Sequence, residues 1–453
     1  MFDPISMPIV DTWHCRSCRH SVRYYKVKLT RLMALSLGLL FLSPLLVHAQ
    51  RLEQLINSAL ASHPSAQGQR ALVQSAEAVV DSARWQFYPT PSVSVESANA
   101  SAADRVYQGD NRVSTLRLQQ PLWTGGRLTA GMDKAAAGLV VSQASLEEVR
   151  LQLGLRVVQA YGDWLSAYLK TLTNEKSLAT HLRLREQVKR RLSEGASAES
   201  DLTLAVTRLE SISADVTAAR AQAEVALARL GQLLGNPVDG AVLAQAVAAP
   251  RELANAGRTN AQALLEMAMG IHPTVAKAQA QARVQEAVVG ERRADLSPEL
   301  YARIERQYGN YNFPNGEPQN RLFIGLASRF GAGLSTLSNI AAARTQHAAA
   351  LTEIEVQSRT VSEQVLSDYA LAVSTVSRLA SIQASLKAAA DVSTSYDRQF
   401  LAGRKSWLDV MNAARELAQT ETQLADLQST QIVVTWRLAA YTRGIDAVSE
   451  KKK

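Results

Sequence analysis

Residues 399–410 read QFLAGRKSWLDV, and residues 191–202 read RLSEGASAESDL. Each stretch carries a glycine six positions before an aspartate that a branched apolar residue follows: Gly195 with Asp201, and Gly403 with Asp409. The two glycines lie 208 positions apart, as do the two aspartates. A glycine after a long helical pattern, with an acid in the first turn of the next, marks the tip of a helical hairpin where the chain reverses. Two such tips in one chain raise the question of what lies between them.

Working outward, the spacing holds. His63-Pro64 recurs as His272-Pro273, Glu77-Ala78-Val79-Val80 as Glu286-Ala287-Val288-Val289, and Pro89 as Pro298, all at 209 residues. Trp123 and Phe330 lie 207 apart, each beside a glycine-containing turn. A register that drifts by so little is the mark of a tandem duplication, in which each half folds alike. The expected halves are residues 50–258 and 259–445, with a short charged tail at 446–453. His63 and His272 each precede a proline at a helix start, so both are read as helix-end residues rather than ligands.

Within a half the patterning changes period. Val93 and Val95 alternate with Ser92, Ser94 and Glu96, and Leu116 and Leu118 with Arg117 and Gln119. In the second half Leu300, Ala302 and Ile304 alternate with Tyr301, Arg303 and Glu305, while Leu322, Ile324 and Leu326 mark one further face. Period two predicts strands at about 91–100, 113–123, 299–307 and 321–330. The Asn-, Asp-, Gly- and Pro-rich segments between them read as loops. After WTGGR (123–127) the chain turns helical as far as Glu194, with Val157, Tyr161, Trp164, Tyr168 and Leu172 on one stripe. Residues 334–402 repeat that run. At 1.5 Å per residue each rod is roughly 100 Å long, and helices over 201–235 and 409–443 return along them.

Strands of about ten residues have the length of tilted membrane strands. Four of them cannot close a barrel, and lipid does not tolerate an open edge. The chain must therefore oligomerise, and a homotrimer supplies twelve strands. The expected fold is mainly α with membrane β: a 12-stranded barrel, four strands per chain, continued by a long tube of helices. Tyr88, Trp123, Tyr301 and Phe330 lie near strand ends, where an aromatic girdle belongs.

The totals agree with this class. Of 453 residues, aromatics make up 6% and the net charge is +8, and residues 1–49 carry half of that charge. A nucleic-acid binder would cluster its basic residues on one element, and this chain does not. Residues 26–49, KVKLTRLMALSLGLLFLSPLLVHA, combine a basic start, an apolar run and a small-residue cleavage site, so residues 1–49 are read as a secretory signal with an upstream segment. A translation start at Met33 would strip that signal of its basic residues. The pair Cys15 and Cys18, flanked by His14 and His20, has metal-ligand character but falls ahead of the cleavage site, so no retained metal or cofactor is expected. No cysteine follows, and no lipid anchor is expected at the mature start near Gln50. The chain has no HExxH, GxSxG or P-loop, and its remaining histidines at 63, 181, 272 and 347 are scattered, so an enzyme is not expected. A structural coiled-coil envelope protein would suit the long helices, but it needs sustained heptads and leaves the paired strands unexplained.

On its ALASHP start (59–64), its QPLWTGGR turn (120–127), the twofold repeat and the Gly…Asp tips, the sequence resembles the TolC-type family of outer-membrane export channels along nearly all of the mature chain. The resemblance implies an outer-membrane homotrimer in contact with lipid, with a large periplasmic part. It also implies a periplasmic adaptor and an inner-membrane ABC transporter or other pump, docking at a closed tip. It places the adaptor contact at Glu194, Gly195, Ala402 and Gly403, and a gate acid at Asp409. A ring of three such carboxylates attracts cations and repels itself, so a raised pKa is expected. Where the family often has a second acid, this chain has Asn412; the tip latch falls on Lys405 and Asp201; and Phe400 replaces an aromatic able to hydrogen-bond. Ser406-Trp407-Leu408-Asp409 also fits a helix capping box, so Asp409 has a structural role open to it beside the gate role. LASRFGAGLSTLSNI (326–340) is similar to agglutination-type members that serve surface adhesins, which favours type I secretion of large proteins over multidrug efflux.

Overall fold

The computed structural model describes residues 52–99, 101, 108–245, 260–314, 316–328 and 335–449; the signal segment, Phe330 and the last residues of the tail lie outside the described residues. The elements are α1 (Leu52–Ser62), α2 (Pro64–Trp85), β1 (Thr90–Ser97), β2 (Arg112–Trp123), α3 (Arg127–Ser193), α4 (Glu199–Leu234), α5 (Gly240–Gln245), α6 (Ala261–Ile271), α7 (Pro273–Ala294), β3 (Glu299–Tyr308), β4 (Gln319–Ala327), α8 (Ser335–Leu401), α9 (Trp407–Arg443) and α10 (Ile445–Ser449). Lengths recur along the chain: α1 and α6 have 11 residues, α2 and α7 have 22, and α3 and α8 have 67.

Local chemistry sets the boundaries. Pro64 begins α2 with its fixed φ, and the His63 imidazole Nδ1 accepts the Ser65 N–H at 3.2 Å, closing one of the open donors of that helix start. His272 has the same sequence setting at the start of α7, yet its side chain makes no cap bond. It turns inward, is buried, and stands 5.7 Å from the Tyr441 ring.

The two long rods are held laterally, as a lone helix of this kind would not persist in water. Near the strands α3 packs on α2 and α7; toward the tips it packs on α4 and α9, and α8 makes the matching contacts with α7 and α9. The main core lies midway, where Trp164, Val157, Leu153 and Leu165 of α3 meet Leu230 of α4, Val365 of α8 and Val434 and Leu438 of α9. Gly162 sets the approach of α3 to α9. A Cβ there would stand 2.2 Å from a Val433 methyl, and the Ser429 hydroxyl donates to the Gly162 carbonyl at 2.7 Å. Ion pairs extend the contact toward the tips, with Lys176–Glu421 at 2.5 Å and Arg183–Asp397 at 2.7 Å.

The sheet is antiparallel in the order β1-β2-β3-β4, so the two halves join where β2 pairs with β3. Among the described residues its outer strands β1 and β4 each have one edge without a partner. Residues directly opposite one another share a face. One face carries Val93, Val95, Leu116, Leu118, Ile304, Leu322 and Ile324, and it is bare: Val93 is 69% and Ile324 74% exposed. On the other face Glu305, only 8% exposed, receives the Arg117 guanidinium at 2.6 Å and that of Arg303 at 3.1 Å. Arg303 in turn lies 4.5 Å from the Phe323 ring centroid. A sheet with its apolar side outward and its ion pairs on the reverse is the inverse of a water-soluble sheet and suits a barrel wall in lipid.

One girdle expectation is corrected. Tyr301 falls on the polar face beside Arg303 and Glu305 and crosses to Gly325 on β4, because alternation from Ile304 places every odd position there. The exposed aromatics at the helix-bearing end are Trp123 and Tyr88, joined by Trp85 and Phe87, with the Trp85 and Tyr88 rings 5.3 Å apart.

Candidate functional site

The two hairpin tips are built by the same backbone device. At the first, α3 ends at Ser193 and Gly195 adopts φ 73°, which lets its N–H reach the Leu192 carbonyl at 3.0 Å and the Ala196 N–H reach Arg191 at 2.7 Å. At the second, Gly403 adopts φ 71°, its N–H reaches Phe400 at 3.0 Å and the Arg404 N–H reaches Gln399 at 2.8 Å. Left-handed backbone of this kind is available to glycine at little cost, and it closes the last carbonyls of each rod. Glu194, Gly195, Ala402 and Gly403 are all exposed.

The tips differ in how the return helix begins. At α9 the Asp409 N–H donates to the Ser406 hydroxyl oxygen at 3.2 Å, while Asp409 Oδ2 accepts the Ser406 N–H at 3.2 Å and the Ser406 O–H at 2.8 Å. At α4 the equivalent residue is Ala198, which has no side-chain acceptor, so only half the box forms: Asp201 Oδ2 accepts the Ala198 N–H at 3.2 Å. The Asp409 carboxyl is held below the usual carboxylate range, first by the Ser406 hydroxyl, then by the Ser406 N–H, with Lys405 adding a smaller pull. The capping bonds favour the ionised form in a single protomer, whereas the expected rise belongs to three carboxylates brought together in a ring.

Lys405 and Asp201 do not meet within the protomer. The Lys405 ammonium stands 4.0 Å from Asp409 Oδ2 and 4.4 Å from the Tyr396 ring centroid. Asp201 is engaged at its own helix start. Phe400 is 3% exposed and sits in a cluster with Leu184, Val188, Trp407, Val410 and Met411, with the Arg191 guanidinium 4.7 Å above its ring. It is a packing anchor that binds the end of α8 to α3 and α9, rather than a surface latch residue. Trp407 shares that role, and the spacing of 407, 410, 411 and 414, that of a buried helix stripe, is its signal in the sequence. Asn412 is exposed and lines a groove with His181, Arg208, Asp215 and Arg415. His181 itself is buried against Ser177, and burial pushes its pKa down.

Among the described residues no cluster of His, Cys, Asp or Glu could hold a metal ion, and no helix is long and apolar enough to cross a membrane. The surface suited to lipid is the bare side of the sheet.

Comparison with known proteins agrees with this geometry. Residues 55–236 match the outer membrane efflux protein family. Over 129 residues the chain is 30% identical to Protein CyaE of Bordetella pertussis; the match spans 28% of this chain and 27% of that protein, about a quarter of the relative's length. The fold is similar to solved outer-membrane proteins across 87% of the chain: VceC of Vibrio cholerae (TM-score 0.74, 16% identity, 96% of that chain). The CmeC outer membrane channel of Campylobacter jejuni aligns with TM-score 0.71 at 15% identity, over 87% of this chain and 85% of that one. The open state of the MtrE outer membrane channel of Neisseria gonorrhoeae aligns with TM-score 0.68 at 18% identity, over 87% of this chain and 89% of that one. The family match over residues 55–236, with a fold shared along 87% of the chain with solved outer-membrane channels, makes the chain a protein of the outer membrane.

Proposed function

We propose that the protein is the outer-membrane exit duct of a tripartite export machine, that it works as a homotrimer, and that it carries large proteins such as adhesins in a type I secretion system. The observation that supports a duct above all is the four-stranded sheet with a bare apolar face, a polar reverse and two unpaired edges, continuous with rods of 67 residues. Unpaired strand edges in lipid are costly, and joining β4 of one copy to β1 of the next removes them. Three copies give a closed wall of twelve strands with the Glu305 ion pairs facing the lumen.

In this reading the tips are the gate. Three copies of Asp409 would form a carboxylate ring, with Asn412 standing where a second ring could have been. Lys405 of one hairpin would pair with Asp201 of another across the assembly, since neither finds the other within one protomer. The exposed apices at Glu194, Gly195, Ala402 and Gly403 would take a periplasmic adaptor that links to an inner-membrane ABC transporter or other pump. Energy comes from that pump. The protein itself performs no chemical step.

The preference for protein cargo rests on the resemblance of residues 326–340 to adhesin-serving members. Multidrug efflux is the second reading, supported by the family match to efflux proteins. A deletion strain and its complemented control separate the two. Loss of one or a few very large surface or supernatant proteins, with unchanged drug tolerance, is expected. Drug hypersensitivity with an intact set of secreted proteins would reverse the assignment.

A further inference from the structure

The bare face of the sheet does not remain apolar along its whole height. The helices attach at one end of all four strands, so Ser97, Arg112, Tyr308 and Gln319 lie at the other. Toward that far end the rows on the apolar face run Leu118–Ile304–Leu322, then Val93–Leu116–Arg306–Asn320, then Val95–Ser114–Tyr308, and last Ser97–Arg112. Two arginines thus stand on the lipid side, one of them in the same row as Val93 and Leu116. Both are exposed. Among the described residues neither forms an ion pair, and no acidic side chain shares their face; Glu96 and Glu305 point to the reverse. Arg306 lies 5.2 Å from the Tyr308 ring centroid, and Tyr308 is set between the two arginines in the register.

A guanidinium on the lipid face is tolerated near the interface and grows costly toward the midplane. A long stem lets it rise to the headgroup level, and an aromatic ring beneath it offsets part of the charge. What completes it is a planar, bidentate acceptor, and phosphate is the acceptor a lipid offers. We propose that Arg306, braced by Tyr308, and Arg112 form a binding site for the phosphate of an anionic lipid headgroup at the far rim of the barrel. The site rests on the outer-membrane reading. It holds lipid against the wall and fixes the depth at which the barrel sits.

The test reconstitutes the full chain in phosphatidylcholine vesicles and in the same vesicles containing lipid A, a phosphorylated glycolipid, followed by extraction and native mass spectrometry. Insertion into plain phosphatidylcholine tests the membrane reading alone, and failure to insert would overturn both readings. With lipid A present, wild type is expected to retain lipid A in preference to phosphatidylcholine. The double variant Arg112→Gln/Arg306→Gln is expected to insert normally and lose that retention by about ten-fold or more, the scale of lost charge-assisted bonds. Arg112→Lys/Arg306→Lys, which keeps the charge but not the fork, should fall between. Arg321→Gln, a charge removed from the polar face, should retain lipid A as wild type does. Equal retention by the double glutamine variant overturns the site, as does an equal loss in Arg321→Gln. Inorganic phosphate in the extraction buffer is expected to leave the adduct in place; its displacement would assign the arginines to free phosphate and overturn the lipid assignment.

Discussion

Ser406 and Asp409 hold each other through three bonds, two accepted by the Asp409 carboxylate and one donated by its backbone N–H. The residue proposed as the gate acid is thereby also the residue that starts α9. Its capping role and its gate role draw on the same carboxylate, and each can be tested through the other.

The capping bonds keep the Asp409 pKa below its ordinary 3.8 in a single protomer. A group depressed on folding contributes stability that is present above the unfolded value and is lost as pH falls through the folded one. The second tip is therefore expected to loosen under acid, below about pH 4, with hydrogen exchange rising first at 406–411. Ser406→Ala should move the Asp409 pKa upward toward the ordinary value and weaken the start of α9 by about 1 kcal/mol. Like-charge repulsion in a closed ring should also raise it. An Asp409 pKa that is the same in dispersed single chains and in the closed assembly argues against a ring.

Asp409→Ala is expected to weaken block by multivalent cations in planar bilayers, since the ring would lose its charge. Unchanged cation affinity would remove Asp409 from the pore.

Lys405→Ala is expected to make cells leakier to large antibiotics such as vancomycin at normal levels of the protein in the membrane. Within the protomer Lys405 has only a 4.0 Å approach to Asp409 and a ring contact with Tyr396. Exposed pairs of this kind contribute roughly 0–1 kcal/mol, so a latch made of them can be opened by a docking partner. Unchanged sensitivity would leave Lys405 as a solvated tip residue.

Phe400→Ala removes the ring that Leu184, Val188 and Trp407 enclose. The expected loss is about 3–5 kcal/mol, local to the tip. Hydrogen exchange should rise at 184–205 and 396–414 while the midway core around Trp164 stays protected. Global unfolding instead would mean that the tip and the core are one cooperative unit.

His272 and His63 show what sequence can and cannot convey. Both open a helix before proline, and both read as helix-end residues. His63 caps its helix, whereas His272 is buried beside Tyr441 with neither ring nitrogen bonded, a difference that depends on α9 being present beside it. The same limit explains Tyr301, whose side was implicit in the alternation with Arg303 and Glu305 but was outweighed by its place near a strand end. Periodicity is local, so the strands and the long rods were legible. Arg117 meets Glu305 across 188 residues, and Lys405 turns to its own helix rather than to Asp201. Contacts of that kind are settled by packing, which no single stretch records.

Burial pushes the His272 pKa below 6.5, against a smaller opposing pull from Glu148. The neutral ring carries no penalty above that value, and stability should fall as pH drops below it, where the unfolded chain takes up the proton more readily. Glu148 of α3 also accepts Lys277 of α7 at 2.9 Å and Thr274 at 3.2 Å, so its charge is already shared. His272→Phe should therefore flatten the decline in unfolding temperature between about pH 7 and pH 5, leaving a smaller slope from buried His181. A decline as steep as in wild type would show that His272 is solvated.

The central claim is that the unpaired edges of β1 and β4 are closed by other copies of the same chain. Light scattering on the detergent-solubilised protein, corrected for bound detergent, measures this most directly. The account predicts three chains per particle. A particle of one chain, with the sheet still formed, would contradict it.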